Sequence, residues 1–357
     1  MRTSPVPRSP GHEPRVSVVI PCYDYGRFLP ECVASVLAQD GVRVDVTIVD
    51  DASTDDSVAV AERLAAADCR VTVVRHPENR GHIVTFNNAL AAATADYVVK
   101  MDADDALPAG SLSRSVDLLE AHPEVALVYG YPLTFTTAPP PDVPTTVTAW
   151  SVWTGEEWIA SRVRRGHNVI MQPEVVMRRS ALDEVGGHRD AVPEASDLNL
   201  WLRLASAGSV GRVNGPVQGF YRRHAQSMQH TIHAGFLSDL NARLKAFELF
   251  FEERGNRLDD PEALRRTLRR TLAADAVRLA NQAFDRQRQD HEPIMEYREF
   301  ALRLDPAIIR SIGWRELALR EAGARTALGS LVRYSPAAAG RDVADRVRWR
   351  RWRRTGL

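Results

Sequence analysis

The sequence is poor in cysteine, has no excess of either charge and lacks a long apolar run, and each absence excludes a class of protein. Its 3 cysteines form neither a CxxC pair nor a zinc-ligand spacing, which argues against a disulfide framework and a structural zinc site. Since 46 basic residues balance 46 acidic ones, no net positive charge recruits nucleic acid. Without an apolar stretch of bilayer length or a signal-peptide core, the expected location is cytoplasmic.

What the sequence does contain is a regular alternation of strand and helix patterns from residue 15 onward. β-Branched runs typical of buried strands are followed by segments whose apolar residues have helical spacing. The runs are "VSVVIP", "VDVTIVDD", "VTVV", "YVVKMD" and "VALVYG". This alternation predicts an α/β fold with a doubly wound, mostly parallel, Rossmann-like sheet, which binds ligands at the carboxyl ends of its strands.

Acidic residues gather where these predicted strands end. They are Asp24 after the first strand, Asp50 and Asp51 after the second, and Asp102, Asp104 and Asp105 after the fourth. Because the carboxyl ends of parallel strands meet at one edge of a sheet, a cation should lie there to balance the carboxylates. Carboxylate oxygens are the ligands that Mg²⁺ and Mn²⁺ prefer, and such ions often also bind substrate phosphates. We therefore predict a divalent metal site at Asp102 and Asp104, with helix capping or a solvated acidic turn as the alternative.

The order of the longer motifs provides a second argument. They are "VSVVIPCYDYGRFLPECVASVLAQ", "TIVDDASTDDS", "RHPENRGHIVTFNNAL", "VVKMDADDALPAGSL", "EVVMRRSALDEVGG", "SDLNLWLRLASAG" and "YRRHAQSM". In this order they resemble the family 2 glycosyltransferases of the GT-A type over residues 16–228. The resemblance implies a GT-A fold and transfer of a sugar from a nucleotide diphosphate donor to a hydroxyl acceptor. It also implies inversion at the anomeric carbon and Mn²⁺ or Mg²⁺ as cofactor.

The resemblance and the changes of pattern together divide the chain. The predicted divisions are a disordered lead at 1–14, a glycosyltransferase domain at 15–233, a helical extension at 234–340 and a basic tail at 341–357. Within the domain, residues 15–130 would bind the nucleotide sugar and residues 131–233 the acceptor. The tail contains Arg348, Trp349, Arg350, Arg351, Trp352, Arg353 and Arg354. Such a segment can lie on the anionic inner face of a membrane, or it can be a solvated terminus.

Carried over to this sequence, the "DAD" motif matches the family's DXD element. The resemblance implies that Asp104 binds the metal ion that bridges the diphosphate, and that Asp102 holds the ribose and supports the ion. His224, in "YRRH", would complete the metal shell or contact phosphate, and an ordinary loop position is the alternative. For Asp105 the sequence suggests a cap on the helix that follows.

The nucleotide contacts implied by the resemblance lie after the first three strands. One of Asp50 and Asp51 would accept a hydrogen bond from the uracil N3–H, although a helix-capping turn is the alternative for this pair. Pro21 and Tyr23 would contact the base, and the ring of Tyr23 can stack on it. Arg80 in "NRGH" would approach the donor, unless it is a solvated surface arginine.

Inverting transfer requires a carboxylate that takes the proton of the acceptor hydroxyl. In "EASDLNLWLRL" the resemblance assigns this role to Asp197, with Ser196 at the position where the family usually has glutamate. An aspartate in the first turn of a helix is also favoured by the helix dipole, and Glu194 is the nearest substitute for the base.

The prediction is thus a metal-dependent inverting glycosyltransferase, and the resemblance implies a UDP-sugar as donor. The acceptor is not identified and could be a saccharide, a lipid-linked glycan or a secondary metabolite. One alternative is a nucleotide-sugar binding module without catalysis, which the altered acidic motif at Ser196 allows. A nucleotidyltransferase is a further alternative, but "PCYDYGRF" is not the glycine-rich and basic phosphate loop that such enzymes use.

Overall fold

The computed structural model describes residues 1–6, 8, 11–224, 235–286 and 288–323, and positions 343, 347, 350, 352 and 356. It divides into two compact units. Unit 1 comprises Met1–Ile159, Asn168–Ser227 and Gly356, and unit 2 comprises Ala160–His167, Met228–Thr355 and Leu357. Of the basic tail residues named above, Arg350 and Trp352 are described, and the other five lie outside the described residues. The membrane-surface hypothesis therefore stays a prediction.

One sheet of nine strands forms the centre of unit 1 within the described ranges. The strands are β1 Arg2–Thr3, β2 Arg15–Cys22, β3 Arg43–Asp50, β4 Val71–Arg75, β5 Tyr97–Lys100, β6 Val125–Phe135, β7 Ala149–Trp153, β8 Val176–Arg178 and β9 Ser209–Arg222. Their order across the sheet is β1-β7-β9-β6-β8-β5-β2-β3-β4. Strands β5, β2, β3 and β4 are parallel, as are β6 and β9, whereas β8, β7 and β1 form antiparallel pairs.

Helices pack around this sheet and confirm the predicted α/β class. They are α1 Leu29–Leu37, α2 Ser57–Ala67, α3 His82–Ala92, α4 Ser111–Ala121, α5 Gly155–Arg165, α6 Arg179–Val185 and α7 Ser196–Ala207. Helix α1 shows why they form: Leu29, Cys32, Val33 and Val36 follow helical spacing and are fully buried. In β2, by contrast, consecutive residues such as Val18 and Val19 are buried on both faces of the sheet, as a central strand requires.

The register of the strands defines the edge at which the acidic residues lie. Cys22 at the end of β2 is paired with Asp50 at the end of β3, and Lys100 at the end of β5 is paired with Val19 of β2. The carboxyl ends of these three strands therefore point toward the same edge of the sheet. This is the edge at which ligands bind in open parallel sheets.

At the amino terminus the structure differs from the expected disordered lead. Arg2 and Thr3 pair with Ser151 and Trp150 of β7, and the terminal amine donates to the carbonyl of Val152. The backbone groups of this short segment are thus satisfied at the edge of the sheet.

Unit 2 is helical over its described residues, in agreement with the predicted C-terminal extension. Its helices are α8 Phe236–Arg254, α9 Pro261–Asp285, α10 Ile294–Leu304 and α11 Ile312–Gly323. Buried aromatic side chains, including Phe247, Phe250, Tyr297 and Phe300, form its core. Among the described helices of the chain, none has both the length and the apolar character that crossing a bilayer requires.

Candidate active site

The end of β9 lies beside the loop that follows β5, residues 101–110, which is called the acidic loop below. Ala106 and Phe220 form an antiparallel bridge between the two segments, with N–O distances of 3.1 and 2.8 Å. At Asp105, the residue directly before Ala106, Oδ1 accepts a hydrogen bond of 2.8 Å from the amide of Arg222. These backbone contacts bring His224 to the acidic loop, although 120 residues separate it from Asp104 in sequence.

The side chain of Arg222 fixes this arrangement. Its guanidinium donates to the carbonyl of Asp104 at 2.7 Å and to the carbonyl of Thr137 at 3.0 Å, and it pairs with Glu31 of α1. The rings of Phe28 and Phe135 lie 4.9 and 4.3 Å from the guanidinium carbon. A cation held by this many partners has one conformation, so the residues that follow it are also held in place.

Asp104 and His224 have the spacing of two ligands of one metal ion. Asp104 Oδ2 lies 3.0 Å from His224 Nε2. Two adjacent ligands of an octahedral cation with bonds of about 2.1 Å are roughly 3.0 Å apart, so the pair has the right spacing for Mg²⁺ or Mn²⁺. Burial raises the pKa of Asp104, the charge of Asp102 adds to the effect, and His224 opposes it. Among the described residues no three His, Cys, Asp or Glu side chains gather to hold a metal ion.

Asp102 is held on one side and open on the other. Its Oδ1 lies 3.0 Å from Lys100 Nζ and accepts a hydrogen bond of 3.4 Å from Gln172 Nε2. The side chain of Asp102 is still 40% exposed, so a ligand can reach it. Gln172 is buried and has a φ of 106°, a conformation that is strained for a residue with a side chain. The sequence carried no signal for Gln172.

Asp105 does not cap a helix, contrary to the expectation from sequence. Helix α4 begins at Ser111, and Asp105 is almost completely buried, with its Oδ1 on the amide of Arg222. Burial, followed by the charges of Asp104 and Asp102, raises the pKa of Asp105 well above its ordinary value. Its role in the structure is to join the acidic loop to the end of β9.

Asp50 and Asp51 both bond to neighbouring loops of the protein. Asp50 accepts from the amide and the hydroxyl of Ser53 at 3.0 and 2.5 Å. Asp51 accepts from the amides of Arg80 and Gly81 at 2.8 and 2.9 Å, and His76 Nδ1 lies 2.8 Å away. Burial alone would raise the pKa of Asp51, but these hydrogen bonds and one with Thr85 outweigh it, so the pKa is lowered. The pair therefore shapes the loops after β3 and β4, and the structure leaves the uracil contact a prediction.

The residues assigned to the base and the donor lie at the same edge. Pro21 is near the end of β2, and Tyr23, directly after β2, has 44% of its surface exposed. The side chain of Arg80 is exposed as well, beside the amide that Asp51 holds. Asp24, the acidic residue after the first strand, accepts from the amide of Thr54 at 2.6 Å and so orders the loop before α2.

Asp197 lies in the first turn of α7, across from the end of β5. Its Oδ1 is 3.9 Å from Lys100 Nζ and 3.5 Å from His188 Nε2, and 36% of its side chain is exposed. Burial raises the pKa of Asp197 and so does Asp102, whereas Lys100 and His82 oppose the rise. A carboxylate with a raised pKa holds a proton more readily, which is the property that a general base needs.

The structure thus brings Asp102, Asp104, Asp197 and His224 together around the end of β5. Lys100 and His188 belong to the same group but were missed in the sequence. The signal for Lys100 was present, because it is the single charge within the apolar run "YVVKM". His188 had no such signal: it follows "EVGG", and its ring packs against Phe86 with centroids 4.0 Å apart.

Comparison with known proteins agrees with this fold. Residues 17–186 match the model of the family described as "Glycosyl transferase family 2". The glycosyltransferase GlyG of Streptococcus pneumoniae serotype 4 is 36% identical over 91 residues, which are 25% of this chain and 30% of GlyG. The matched segment therefore covers about a third of the length of that relative.

Two solved structures share the fold. S. aureus TarS 1-349 in complex with UDP has a TM-score of 0.55 at 14% identity, over 91% of this chain and 87% of TarS. The mannosyltransferase PcManGT from Pyrobaculum calidifontis, in complex with GDP-Man and Mn²⁺, has a TM-score of 0.50 at 21% identity, over 91% of this chain and 90% of that one. The match over residues 17–186 identifies this segment of the chain as a glycosyl transferase family 2 domain, and the protein is a glycosyltransferase.

Proposed function

We propose that this glycosyltransferase is metal-dependent and inverting, and that it moves a sugar from a UDP-sugar to a hydroxyl acceptor. The proposal is carried by one observation: Asp102, of the acidic loop, and Asp197, of α7, face the same ammonium group of Lys100 at 3.0 and 3.9 Å. A donor held at the acidic loop would therefore lie within reach of Asp197.

Asp104 and His224, supported by Asp102, are the residues that would hold Mn²⁺ or Mg²⁺. Such an ion, when bound, stabilises the negative charge that develops on a departing diphosphate. Support for a nucleoside diphosphate and a divalent ion also comes from PcManGT, which binds GDP-Man and Mn²⁺. The choice of UDP rests on the resemblance of the motifs and on TarS, which binds UDP.

Asp197 is proposed as the general base. Its carboxylate takes the proton of the acceptor hydroxyl while the acceptor oxygen attacks the anomeric carbon from the face opposite the diphosphate. The 36% exposure of its side chain leaves room for an acceptor, and the raised pKa strengthens it as a base. Attack from the opposite face produces inversion.

The loops after β2 to β4 are proposed to bind the nucleotide. The exposed ring of Tyr23 provides a surface on which a base can stack, beside Pro21. Asp51 holds the amides of Arg80 and Gly81, and this fixes the position from which the Arg80 guanidinium would approach the diphosphate. Asp50 keeps the adjacent loop closed through Ser53.

The test is release of the nucleotide from UDP-sugars and from GDP-mannose, measured in Mn²⁺ and again in EDTA. We expect the wild type to turn over a UDP-sugar in Mn²⁺ but not in EDTA. In Mn²⁺ the Asp104→Asn variant should turn it over about 100-fold more slowly, or slower still. The matched control is Asp190→Asn, at an exposed aspartate of the same domain, which should behave as the wild type. The proposal would be contradicted if the Asp104→Asn variant turned over the donor at the wild-type rate, or if EDTA did not reduce turnover by the wild type.

A further inference from the structure

Lys100 is an unusual residue for its position. It ends β5, its neighbours Val98, Val99 and Met101 are completely buried, and only 14% of its own side chain is exposed. Burial of an ammonium group is unfavourable unless anions compensate it. At Lys100 two carboxylates do so, Asp102 Oδ1 at 3.0 Å and Asp197 Oδ1 at 3.9 Å, and the ring of Phe86 lies 5.3 Å away.

The composition of the chain makes the choice of lysine informative. Of the 46 Lys and Arg residues, Lys100 and Lys245 are the two lysines, and all others are arginine. Arginine carries a broad, planar group that pairs with carboxylates in a forked geometry, whereas the ammonium of lysine is compact. A compact charge can lie between two carboxylates that approach from different elements, here the loop after β5 and the first turn of α7.

The other groups that face Asp197 do not replace this charge. They are Asp102 from the loop after β5, His82 from α3 and His188 from the loop before α7. Asp102 is an anion. Burial, and then the nearby charges of Lys100 and Arg203, hold the pKa of His188 well below its ordinary value, so that His188 is neutral. His82 is exposed, which leaves Lys100 as the buried fixed cation beside Asp197.

We propose that Lys100 is a positioning residue for sugar transfer, whose ammonium group fixes the Asp197 carboxylate relative to Asp102 and the donor. The inference rests on the proposed function, since it requires Asp197 to be the base. When the acceptor oxygen bonds to the anomeric carbon, its proton passes to Asp197 and the bond to the diphosphate breaks, with the electron pair leaving on the diphosphate. Asp197 then loses its charge, but Lys100 keeps Asp102 as a counter-ion, so the buried ammonium is compensated throughout.

The kinetic test is a double-mutant cycle on nucleotide release from the UDP-sugar that the wild type turns over. Lys100→Met should lower kcat by about 100-fold while KM for the donor changes much less, because the general base is displaced. In the Asp197→Asn background the same Lys100→Met change should cost less than about threefold, since Lys100 acts through Asp197. Lys245→Met, at the exposed second lysine, is the matched control and should leave kcat unchanged.

A spectroscopic test does not depend on turnover. The full-length chain labelled with ¹⁵N-lysine has two side-chain ammonium groups, and the Lys245→Met variant assigns the signal of Lys100. Asp197→Asn should shift this signal, whereas Asp190→Asn should not. A Lys100 signal that Asp197→Asn leaves unmoved would overturn the inference even if Lys100→Met proved unfolded.

The outcomes separate the two proposals. If Asp197→Asn abolishes transfer and Lys100→Met retains the wild-type kcat, the inference fails and the proposed function stands. If the effects of Lys100→Met and Asp197→Asn on kcat are additive, Lys100 does not act through Asp197. Lys100 then serves the fold or Asp102 alone, and the inference again fails. If Asp197→Asn keeps full activity, Asp197 is not the base: the inference fails, and within the proposed function only the assignment of the base fails, since metal dependence is tested separately by Asp104→Asn and EDTA.

Discussion

Asp104 Oδ2 lies 3.0 Å from His224 Nε2, and this contact joins the loop after β5 to the end of β9. Each residue belongs to a different half of the sheet, so neither local sequence nor one supersecondary unit creates the pair. The contact depends on the bridge between Ala106 and Phe220 and on the guanidinium of Arg222, which together align the two segments. The candidate metal position is therefore a product of the whole sheet.

Replacement of His224 by alanine should weaken binding of UDP in Mn²⁺. Loss of one partner to a charged group costs about 1.5–3 kcal/mol, which corresponds to roughly 10–150-fold in affinity. Calorimetric titration with UDP in saturating Mn²⁺ measures the effect, and in EDTA the variant and the wild type should bind alike. His291→Ala, at an exposed histidine of unit 2, is the control. Unchanged affinity of His224→Ala in Mn²⁺ would remove His224 from the proposed metal site.

The rate of transfer should fall on the acid side with the ionisation of Asp197. Burial raises the pKa of Asp197, and Asp102 adds to this, so the fall should have its midpoint above the 3.8 of an ordinary aspartate. The base is active when ionised, so kcat is full above this midpoint and is lost as the pH falls through it. Asp197→Asn should remove the acid limb and lower kcat by about 10²–10⁴-fold.

Glu194→Gln is the matched control for this profile, because Glu194 is exposed in the short helical turn before α7. It should keep both the rate and the pH dependence of the wild type. A Glu194→Gln variant that lost the acid limb, with Asp197→Asn unaffected, would move the base from Asp197 to Glu194.

Tyr23→Ala should weaken binding of UDP, because the exposed ring is the proposed stacking surface for the base. Stacking of a base on an aromatic ring is worth about 1–3 kcal/mol, so the affinity should fall by roughly 5–150-fold. Tyr23→Phe keeps the ring and should bind UDP as the wild type does. Titrations of both variants with UDP in Mn²⁺ provide the comparison, and equal affinities for Ala and Phe would exclude stacking at this residue.

Glu174 should make stability depend on pH. Burial raises its pKa from 4.5 to about 7, and Oε2 has no hydrogen-bond partner among the described residues. Because the pKa is raised in the folded state, its contribution is fully present below pH 4.5 and is lost as the pH rises to about 7. Glu174→Gln cannot ionise, so its free energy of unfolding should exceed that of the wild type by on the order of 3 kcal/mol at pH 8 and should be nearly the same at pH 4.

Denaturant titrations of both proteins at pH 4, 6 and 8 would measure this difference. The amide oxygen of the Gln variant can still accept from the amide of Met171, as Glu174 Oε1 does at 2.9 Å. A difference in free energy of unfolding that stays constant from pH 4 to pH 8 would show that Glu174 does not titrate in this range.

Ala52→Gly should stabilise the protein. Ala52 follows Asp51 with a φ of 59°, and this left-handed conformation costs a residue with a Cβ about 1–2 kcal/mol. Part of the gain is offset because glycine has more freedom in the unfolded chain, so the net increase in the free energy of unfolding should be about 0.5–1 kcal/mol. Ala59→Gly, at an exposed position of α2, should have the opposite sign. Thermal unfolding of both variants decides, and a destabilised Ala52→Gly would contradict the prediction.

Much of the fold could be predicted because the alternation of buried strands and amphipathic helices is strong through residue 130. The antiparallel strands β8 and β1 were harder to predict from sequence. Strand β8 comprises only Val176–Arg178, and Arg2–Thr3 of β1 show no apolar pattern. Such short strands are determined by their neighbours in the sheet rather than by their own residues.

The sequence predicted which carboxylates belong to the candidate site. It predicted less well which residues hold these carboxylates in place. Asp102, Asp104 and Asp197 belong to motifs with a fixed local order, and local order is visible in a sequence. Asp105 was misassigned because its partner is the amide of Arg222, which only the packing of β9 brings near. Gln172 could not be predicted for the same reason, as its contact with Asp102 crosses 70 residues.

The ion pair between Glu31 and Arg222 connects helix α1 to the end of β9, and so to the segment that positions His224. Glu31 pairs with the guanidinium of Arg222, which also donates to the carbonyl of Asp104 and lies two residues before His224. Replacement of Glu31 in a redesign of the α1 surface would therefore disturb the end of β9 and the position of His224, although no residue of the loop after β5 had been changed.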